Sequence, residues 1–360
     1  MMQRLVRKVH LWLGLSLGAL FVLLGLTGSV LVFYTEIDRQ LNPALAVAAA
    51  PPDWDQAVRT LRTAFPNKQG PWRLEVTQDR GAIPARYYNP PETAGRAFAP
   101  MMVWLSPDGR HVLRQDFWGD YAMTWIYDLH FSLLAGEIGG AIIGWSGVIL
   151  LALLVSGVWA WWPRGNWRKA LRYKAYAAPT RRLRDQHKWV GLGSALLLLA
   201  LTGTGAMLAL AEETEAVLRA TGAPPTQITP PVSRAWEGRQ ISLGQAIQTA
   251  QAALPDARIA WIEVPGPGNA AFRFRLQTPA DPSRRFPHSY VWIDQYSGQV
   301  LKVADLRSGT AGDVVLAWLH PIHDGSVGGR LTQILAVLSG LAPLLLFVTG
   351  WRRYRLRRAS

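Results

Sequence analysis

Residues 9–34 read VHLWLGLSLGALFVLLGLTGSVLVFY. The run is apolar and long enough to cross a bilayer as a helix, for which about 20 residues suffice. One histidine, His10, stands at its entrance. The stretch returns at residues 187–210 as HKWVGLGSALLLLALTGTGAMLAL. Laid without a gap, His10 falls on His187, Trp12 on Trp189, Gly14 on Gly191, Thr27 on Thr204 and Gly28 on Gly205. A membrane helix repeated with its histidine in place raises the question of what that histidine does.

Around these helices the composition is mixed. Mean hydropathy is only +0.08 over 360 residues, too low for a bundle made wholly of membrane helices. Substantial polar domains must lie outside the lipid. There is no cysteine, which removes disulfides, thiolate metal sites, iron–sulfur clusters and covalent CxxCH haem attachment. The 17 tryptophans suit a protein with two membrane–water interfaces.

The net charge of +14 is unevenly placed. Arg4, Arg7 and Lys8 precede the first helix, nine basic residues against Asp185 alone fill 164–188, and five arginines close the chain at 352–358. Those three segments carry +16 and all the rest −2. This is the positive-inside pattern of a membrane protein rather than the footprint of a nucleic-acid binder. The same charges can meet anionic membrane lipid.

The chain divides as 1–35 (basic end and first helix), 36–128 (first outside domain), 129–162 (second helix with His130 before it), 163–186 (basic loop), 187–211 (third helix), 212–322 (second outside domain) and 323–360 (fourth helix and basic tail). The first helix has a rival reading as a cleavable signal peptide, with Ala46–Ala50 as a processing site. Its apolar run exceeds a signal h-region and the alanines lie beyond the polar stretch 35–42, so an uncleaved anchor is expected. Residues 53–66, DWDQAVRTLRTAFP, predict an amphipathic helix. Residues 72–77 predict a strand, and 100–115 a hairpin around Ser-Pro-Asp-Gly at 106–109. Residues 167–176 suggest a basic amphipathic helix on the inner leaflet. Pro343 predicts a kink in the fourth helix.

The second and fourth helices superpose as well. His130 falls on His323, Gly136 on Gly329, Ser146-Gly147 on Ser339-Gly340 and Ser156-Gly157 on Thr349-Gly350. Outside, DWDQAVRTLRTAFP matches SLGQAIQTAQAALP at 242–255, Trp72 falls on Trp261, and Val103-Trp104 recurs at Val291-Trp292. Each half is helix, outside α+β domain, helix. The expected fold is an integral membrane bundle of four helices with two α+β domains outside it. An even number of crossings separates the halves, so the repeat is parallel, with a pseudo-twofold axis along the membrane normal.

Of the seven histidines, four form two repeat-related pairs. His10 and His187 stand at the inner ends of their helices, His130 and His323 at the outer ends. A pseudo-twofold axis can bring each pair face to face, which is what axial ligation of a haem iron needs. The plain alternative is an interfacial polar residue, but ionisable groups inside a membrane are costly and tend to be functional. Zinc is the rival metal, yet a structural site wants four clustered ligands. His320, which falls on Tyr127, is an alternative to His323 as ligand, or a residue lining the outer haem or touching substrate. His111 and His288 read as ordinary surface residues. Small residues near the pairs (Gly14, Gly18, Gly25, Gly28; Gly191, Gly193, Gly203, Gly205) either permit close helix contact or leave room for a flat macrocycle. His130 precedes Gly157 by 27 residues, roughly 40 Å as continuous helix, so the pairs lie near opposite faces. No G-x-G-x-x-G follows a strand, so no NAD or flavin domain is expected.

H-x-W-x-G at His10 and His187, LHFSLLAGEIGG…SG…WW-P from residue 129, and LHPIHDG…GG…SGLA…TGW at 319–351 together resemble the PepSY-associated transmembrane family over nearly the whole chain. Members include inner-membrane reductases of ferric siderophores. The resemblance implies four helices, periplasmic PepSY-like domains and two non-covalent, bis-histidine haem b groups, one on His10 and His187, the other on His130 and His323. The charge pattern puts both termini in the cytoplasm, and without an NAD or flavin domain the electrons must come from a cytoplasmic protein or a membrane quinol. The resemblance does not name the substrate; the leading expectation is reduction of iron(III) held by a siderophore, with Trp125, Tyr127, Trp318 and His320 as candidate contacts. Two other functions stay open: a haem-containing conduit to another periplasmic acceptor, and a non-redox membrane protein whose PepSY-like domains bind peptides or regulate proteases.

Overall fold

The computed structural model describes residues 2–163, 165–234 and 239–359; Arg164 of the basic loop lies outside the described residues. In chain order, α1 (Met2–Ser16) and α2 (Gly18–Leu31) make the first apolar run, followed by α3 (Tyr34–Leu41) and α4 (Trp54–Ala64). Strands β1 (Trp72–Glu75), β2 (Ile83–Tyr87), β3 (Met101–Leu105) and β4 (Val112–Phe117) come next. Helix α5 (Ala122–Ser132) carries His130, α6 (Gly136–Trp161) is the second apolar helix and α7 (Trp167–Leu171) lies in the basic loop. The third apolar helix is α8 (Pro179–Ala209), followed by α9 (Ala211–Ala220) and α10 (Leu243–Ala253). Strands β5 (Arg258–Val264), β6 (Phe272–Gln277), β7 (Ser289–Ile293) and β8 (Val300–Ala304) lead to α11 (Ala311–His323) and α12 (Arg330–Arg358). The chain forms two compact units, one of residues 1–33, 126–211 and 322–360, the other of 34–125 and 212–321.

The first unit is the helix bundle. α6, α8 and α12 are each long and apolar enough to cross a membrane, and α1 with α2 makes a fourth such run, bent by 60°. The bend falls at Leu17 and has local causes. The Ser16 hydroxyl donates back to the Trp12 carbonyl at 2.9 Å, a bond that bends helices. Gly18 leaves a gap filled by the Phe347 ring, which a Cβ there would meet at 2.4 Å. The repeat-related α8 runs uninterrupted through the matching position, Ser194. Neighbouring helices meet on small residues: a Cβ on Gly25 would lie 2.3 Å from the Gly340 carbonyl, and one on Gly147 3.0 Å from Ala206. Phe21, Leu150, Leu153, Leu198 and Ala342 form the buried apolar layer, while Ile138 and Leu196 point outward, 75% and 80% exposed, as a lipid-facing surface would.

α12 continues as one helix through Pro343. Two details differ from the sequence reading. α7 has only five residues. His130 does not sit on a continuation of α6. α5 ends at Ser132, and Leu133 and Leu134 both take the left-handed conformation (φ 52° and 60°), a sparsely populated one for residues with a Cβ. The chain thus turns sharply before α6, so 40 Å of continuous helix from His130 to Gly157 does not exist.

The second unit is built on one eight-stranded sheet, in the order β4-β3-β2-β1-β5-β6-β7-β8. All neighbours are antiparallel. Each outside segment supplies four strands, and the halves join where Trp72 faces Val264 and Glu75 faces Trp261. Two separate α+β domains were expected; the two segments instead share a continuous sheet in one compact unit. The join removes two edges that would otherwise invite pairing with other chains. α4 and α10 cover one face, burying Ala57, Leu61, Ala246 and Ala250 against Trp72, Leu74, Ile262 and Phe274. Both helices start where their caps dictate: the Asp53 carboxylate accepts from Gln56 N–H at 2.9 Å, and Ser242 with Gln245 forms a capping box.

Trp72 and Trp261 occupy opposite faces. β5 has a bulge between Ile259 and Trp261. One extra residue in a strand sends every later side chain to the other side, so Trp72 is core while Trp261 stands on the face away from α4 and α10.

Trp72 is fully buried and its indole N–H donates to the Lys68 carbonyl at 2.8 Å. Trp72→Ala is expected to destabilise this unit by about 3–5 kcal/mol, measured by urea unfolding of the full-length protein in detergent. A second expectation concerns Asp313, which accepts from the amide and hydroxyl of both Thr226 and Thr310 at 2.6–3.1 Å. Burial raises its pKa, but these donors outweigh it and hold the carboxyl below its ordinary value. A depressed folded pKa gives stability that is complete above the unfolded pKa and fades as pH falls through the folded one. Asp313→Asn should therefore lower the melting temperature at neutral pH, with the gap to wild type closing in acid.

Candidate functional site

The four repeat-related histidines lie in the bundle, two by two. The rings of His10 and His187 have centroids 6.1 Å apart and planes at 85°. Those of His130 and His323 are also 6.1 Å apart, at 43°. Two metal–nitrogen bonds of about 2 Å placed end to end, with half of each ring added, span roughly 6 Å. Each pair is thus spaced as two imidazoles on opposite sides of one metal ion would be.

Every ring is held by its neighbour helix in the same way. His10 Nδ1 lies 3.2 Å from the Leu153 carbonyl and 3.1 Å from Ser156 Oγ. His187 Nδ1 lies 3.0 Å from both the Leu346 carbonyl and Thr349 Oγ1. For His323 the partners are the Leu201 carbonyl at 2.9 Å and Thr204 Oγ1 at 3.4 Å. His130 Nδ1 is 2.9 Å from Thr27 Oγ1. The hydroxyls already donate to carbonyls one turn back: Ser156 to Leu153 at 2.7 Å, Thr349 to Leu345 at 2.6 Å, Thr204 to Ala200 at 2.7 Å and Thr27 to Leu23 at 2.8 Å. Nδ1 thus faces acceptors, so it carries the proton and donates. That fixes the tautomer and leaves the Nε2 lone pair for a metal, the outer-sphere arrangement that metal-bound histidines generally show.

Each hydroxyl residue is followed by a glycine, and the glycine seats the ring. A Cβ at Gly157 would lie 2.9 Å from His10 Cε1, at Gly28 3.0 Å from His130 Cε1 and at Gly205 2.6 Å from His323 Cε1. At Gly350 the same contact to His187 would be 3.6 Å. Gly28 and Gly205 therefore serve neither helix contact nor a macrocycle; they make room for imidazoles. This role was missed in the sequence, although the signal is there: a Ser/Thr-Gly dipeptide recurs at all four positions.

Along α8, the rise from His187 to the Leu201–Thr204 seat of His323 is about 20–25 Å at 1.5 Å per residue. This replaces the 40 Å of the sequence reading.

The other sequence candidates fall elsewhere. His320, in the sheet unit, packs against the Phe286 ring at 4.9 Å, whereas His323 faces His130. Tyr127 packs on Phe131 at 6.0 Å. Trp125 and Trp318 are substantially exposed, as is His111. His288 is half-buried, with Nδ1 3.6 Å from Asp281, and so is not the surface residue expected. Among the described residues, no group of three or more His, Cys, Asp or Glu side chains is placed to hold a metal ion, which leaves the zinc alternative without a site.

A family model described as the PepSY-associated TM region matches residues 7–357. The chain belongs to this family. None of the curated proteins matches it. The match includes all four ring seats and both bundle halves, so within this PepSY-associated chain the twofold-related histidine pairs are the feature with chemical potential.

The ring seats give a graded expectation. Gly205→Ala places a methyl inside the His323 ring and should displace it, whereas Gly350→Ala, with 3.6 Å to His187, should be tolerated. The melting temperature of the purified protein in detergent reads the difference: a clear drop for the first and little change for the second.

Proposed function

We propose that the chain is a two-haem membrane reductase that carries electrons across the bilayer to iron(III) held by a siderophore. The observation that carries this reading is the pair of facing, tautomer-fixed imidazole sites, one towards each end of the bundle. His10 and His187 would hold one haem, His130 and His323 the other, and His320 has no part in ligation. The binding is non-covalent, because no cysteine is present to form thioethers. When bound, each haem supplies a one-electron carrier.

The chain's own residues do the rest. Ser156, Thr349, Thr27 and Thr204 orient the rings and hold the Nδ1 proton, keeping Nε2 basic. The layer of Phe21, Leu150, Leu153, Leu198 and Ala342 keeps water out of the bundle. Iron(III) takes one electron and leaves as iron(II), which siderophore oxygens bind weakly; no bond to the protein forms. The electron comes from a cytoplasmic protein, for which the basic residues of 164–188 and 352–358 offer a docking charge, or from a membrane quinol. The charge asymmetry favours a bacterial inner-membrane protein with cytoplasmic termini and the sheet unit in the periplasm.

The test is the visible spectrum of the purified protein, air-oxidised and then dithionite-reduced. Two low-spin b haems per chain are expected, with one lost or made high-spin in His187→Ala and again in His323→Ala. The reduced protein should be reoxidised by ferric siderophore. Haems that stay reduced with every ferric chelate would turn the reading into a conduit to another acceptor. A colourless protein from haem-replete cells would sink both and leave peptide binding.

A further inference from the structure

The face of the sheet away from α4 and α10 is lined with arginines and aromatic rings. At its centre is a cavity of about 70 Å³ walled by Arg73, Trp261, Glu263, Arg273, Arg275 and Tyr290. Two water molecules at about 30 Å³ each would fill it, which is also the scale of one carboxylate group.

The charges around it are unbalanced. Arg273 is paired with Glu263 at 2.5 Å. Among the described residues, none of Arg73, Arg86 and Arg275 has a carboxylate within the 4.0 Å of an ion pair. Arg73 donates to the Tyr88 hydroxyl at 3.0 Å and lies over Trp261 at 4.4 Å. Arg275 donates to the carbonyls of Pro287 and Phe286. Arg86 lies over Trp261 at 5.0 Å; it is 9% exposed and its buried Nε has no hydrogen-bond partner.

Arg73 and Arg86 are also direct cross-strand partners on β1 and β2. Like charges opposite one another destabilise a sheet, and uncompensated buried charge costs more. A folded unit that keeps both has a use for the positive field. Guanidinium groups bind carboxylates through two parallel hydrogen bonds, among the strongest polar contacts available.

We propose that this cavity is an anion site that holds a carboxylate of the ligand, with Arg73 and Arg275 as donors and Arg86 as the unpaired charge beside them. Resting on the reductase reading, the ligand class is an iron(III) chelate bearing free carboxylates, such as an α-hydroxycarboxylate complex, in preference to a neutral hydroxamate complex.

The experiment uses full-length protein in detergent and gallium(III), which is not reduced under these conditions. Gallium citrate and neutral gallium tris(acetohydroxamate) are titrated by calorimetry. Citrate complex should bind, more weakly as salt rises, and the hydroxamate complex should not. Arg73→Gln and Arg275→Gln should each weaken binding about tenfold. Glu263→Gln, which removes the cavity's one carboxylate, should tighten it several-fold, a gain that misfolding could not produce. Equal binding of the two complexes, arginine variants that bind as wild type, or weaker binding by Glu263→Gln would overturn the site. A colourless protein that binds gallium citrate would keep the site and remove the reductase reading. A two-haem protein that reduces ferric hydroxamates but binds no carboxylate would do the reverse.

Discussion

An imidazole within a membrane bundle must place its polar edge on something, because no water is there to satisfy it and each unmet polar group in hydrocarbon costs several kcal/mol. Here the edge is met by the neighbouring helix. A Ser or Thr hydroxyl already donating one turn back, with a nearby carbonyl, accepts the Nδ1 proton, and the following glycine leaves room for the Cε1 edge of the ring. The contact is reciprocal in each half. α1 gives His10 to the Leu153–Ser156 turn of α6, and α5 gives His130 to Thr27 of α2. α8 and α12 with α11 repeat it through His187 and His323. The same bonds lock each half together and occupy Nδ1, leaving Nε2 as the free ring nitrogen.

The repeat is kept where that chemistry sits and relaxed elsewhere. α8 is continuous, yet its counterpart breaks at Leu17 because Phe347 fills the space over Gly18. The two ring pairs share a 6.1 Å separation but differ in plane angle, 85° against 43°, so the two sites are not geometrically identical. In the sheet unit the pseudo-twofold relation is likewise broken by the bulge in β5, which turns Trp261 away from the core and puts it beneath Arg73.

Much of this was legible in the residues. The gapless return of His10 as His187 and of His130 as His323 marked the pairs. Hydrophobic run length marked the membrane helices, and the amphipathic period of 53–66 with its return at 242–255 marked α4 and α10. β2, with Pro84 in its middle, gave no strand signal, and its pairing with β1 and β3 is a long-range choice. The break between α5 and α6 was hidden because nothing in LeuLeuAla at 133–135 announces two left-handed residues. The Ser/Thr-Gly dipeptides were visible as repeats, but their purpose was not, since they are far in sequence from the rings they hold.

The sequence by itself determined the number of apolar runs, their parallel duplication and the four histidines. These depend on composition, period and self-similarity, which are local or compare like with like. Only the tertiary structure decided that His323 rather than His320 faces His130, that the Nδ1 atoms carry the protons, and that two outside segments make one sheet. Each of those is a contact between residues distant in the chain, fixed by packing and strand register. A single added residue in β5 was enough to send two repeat-related tryptophans to opposite faces.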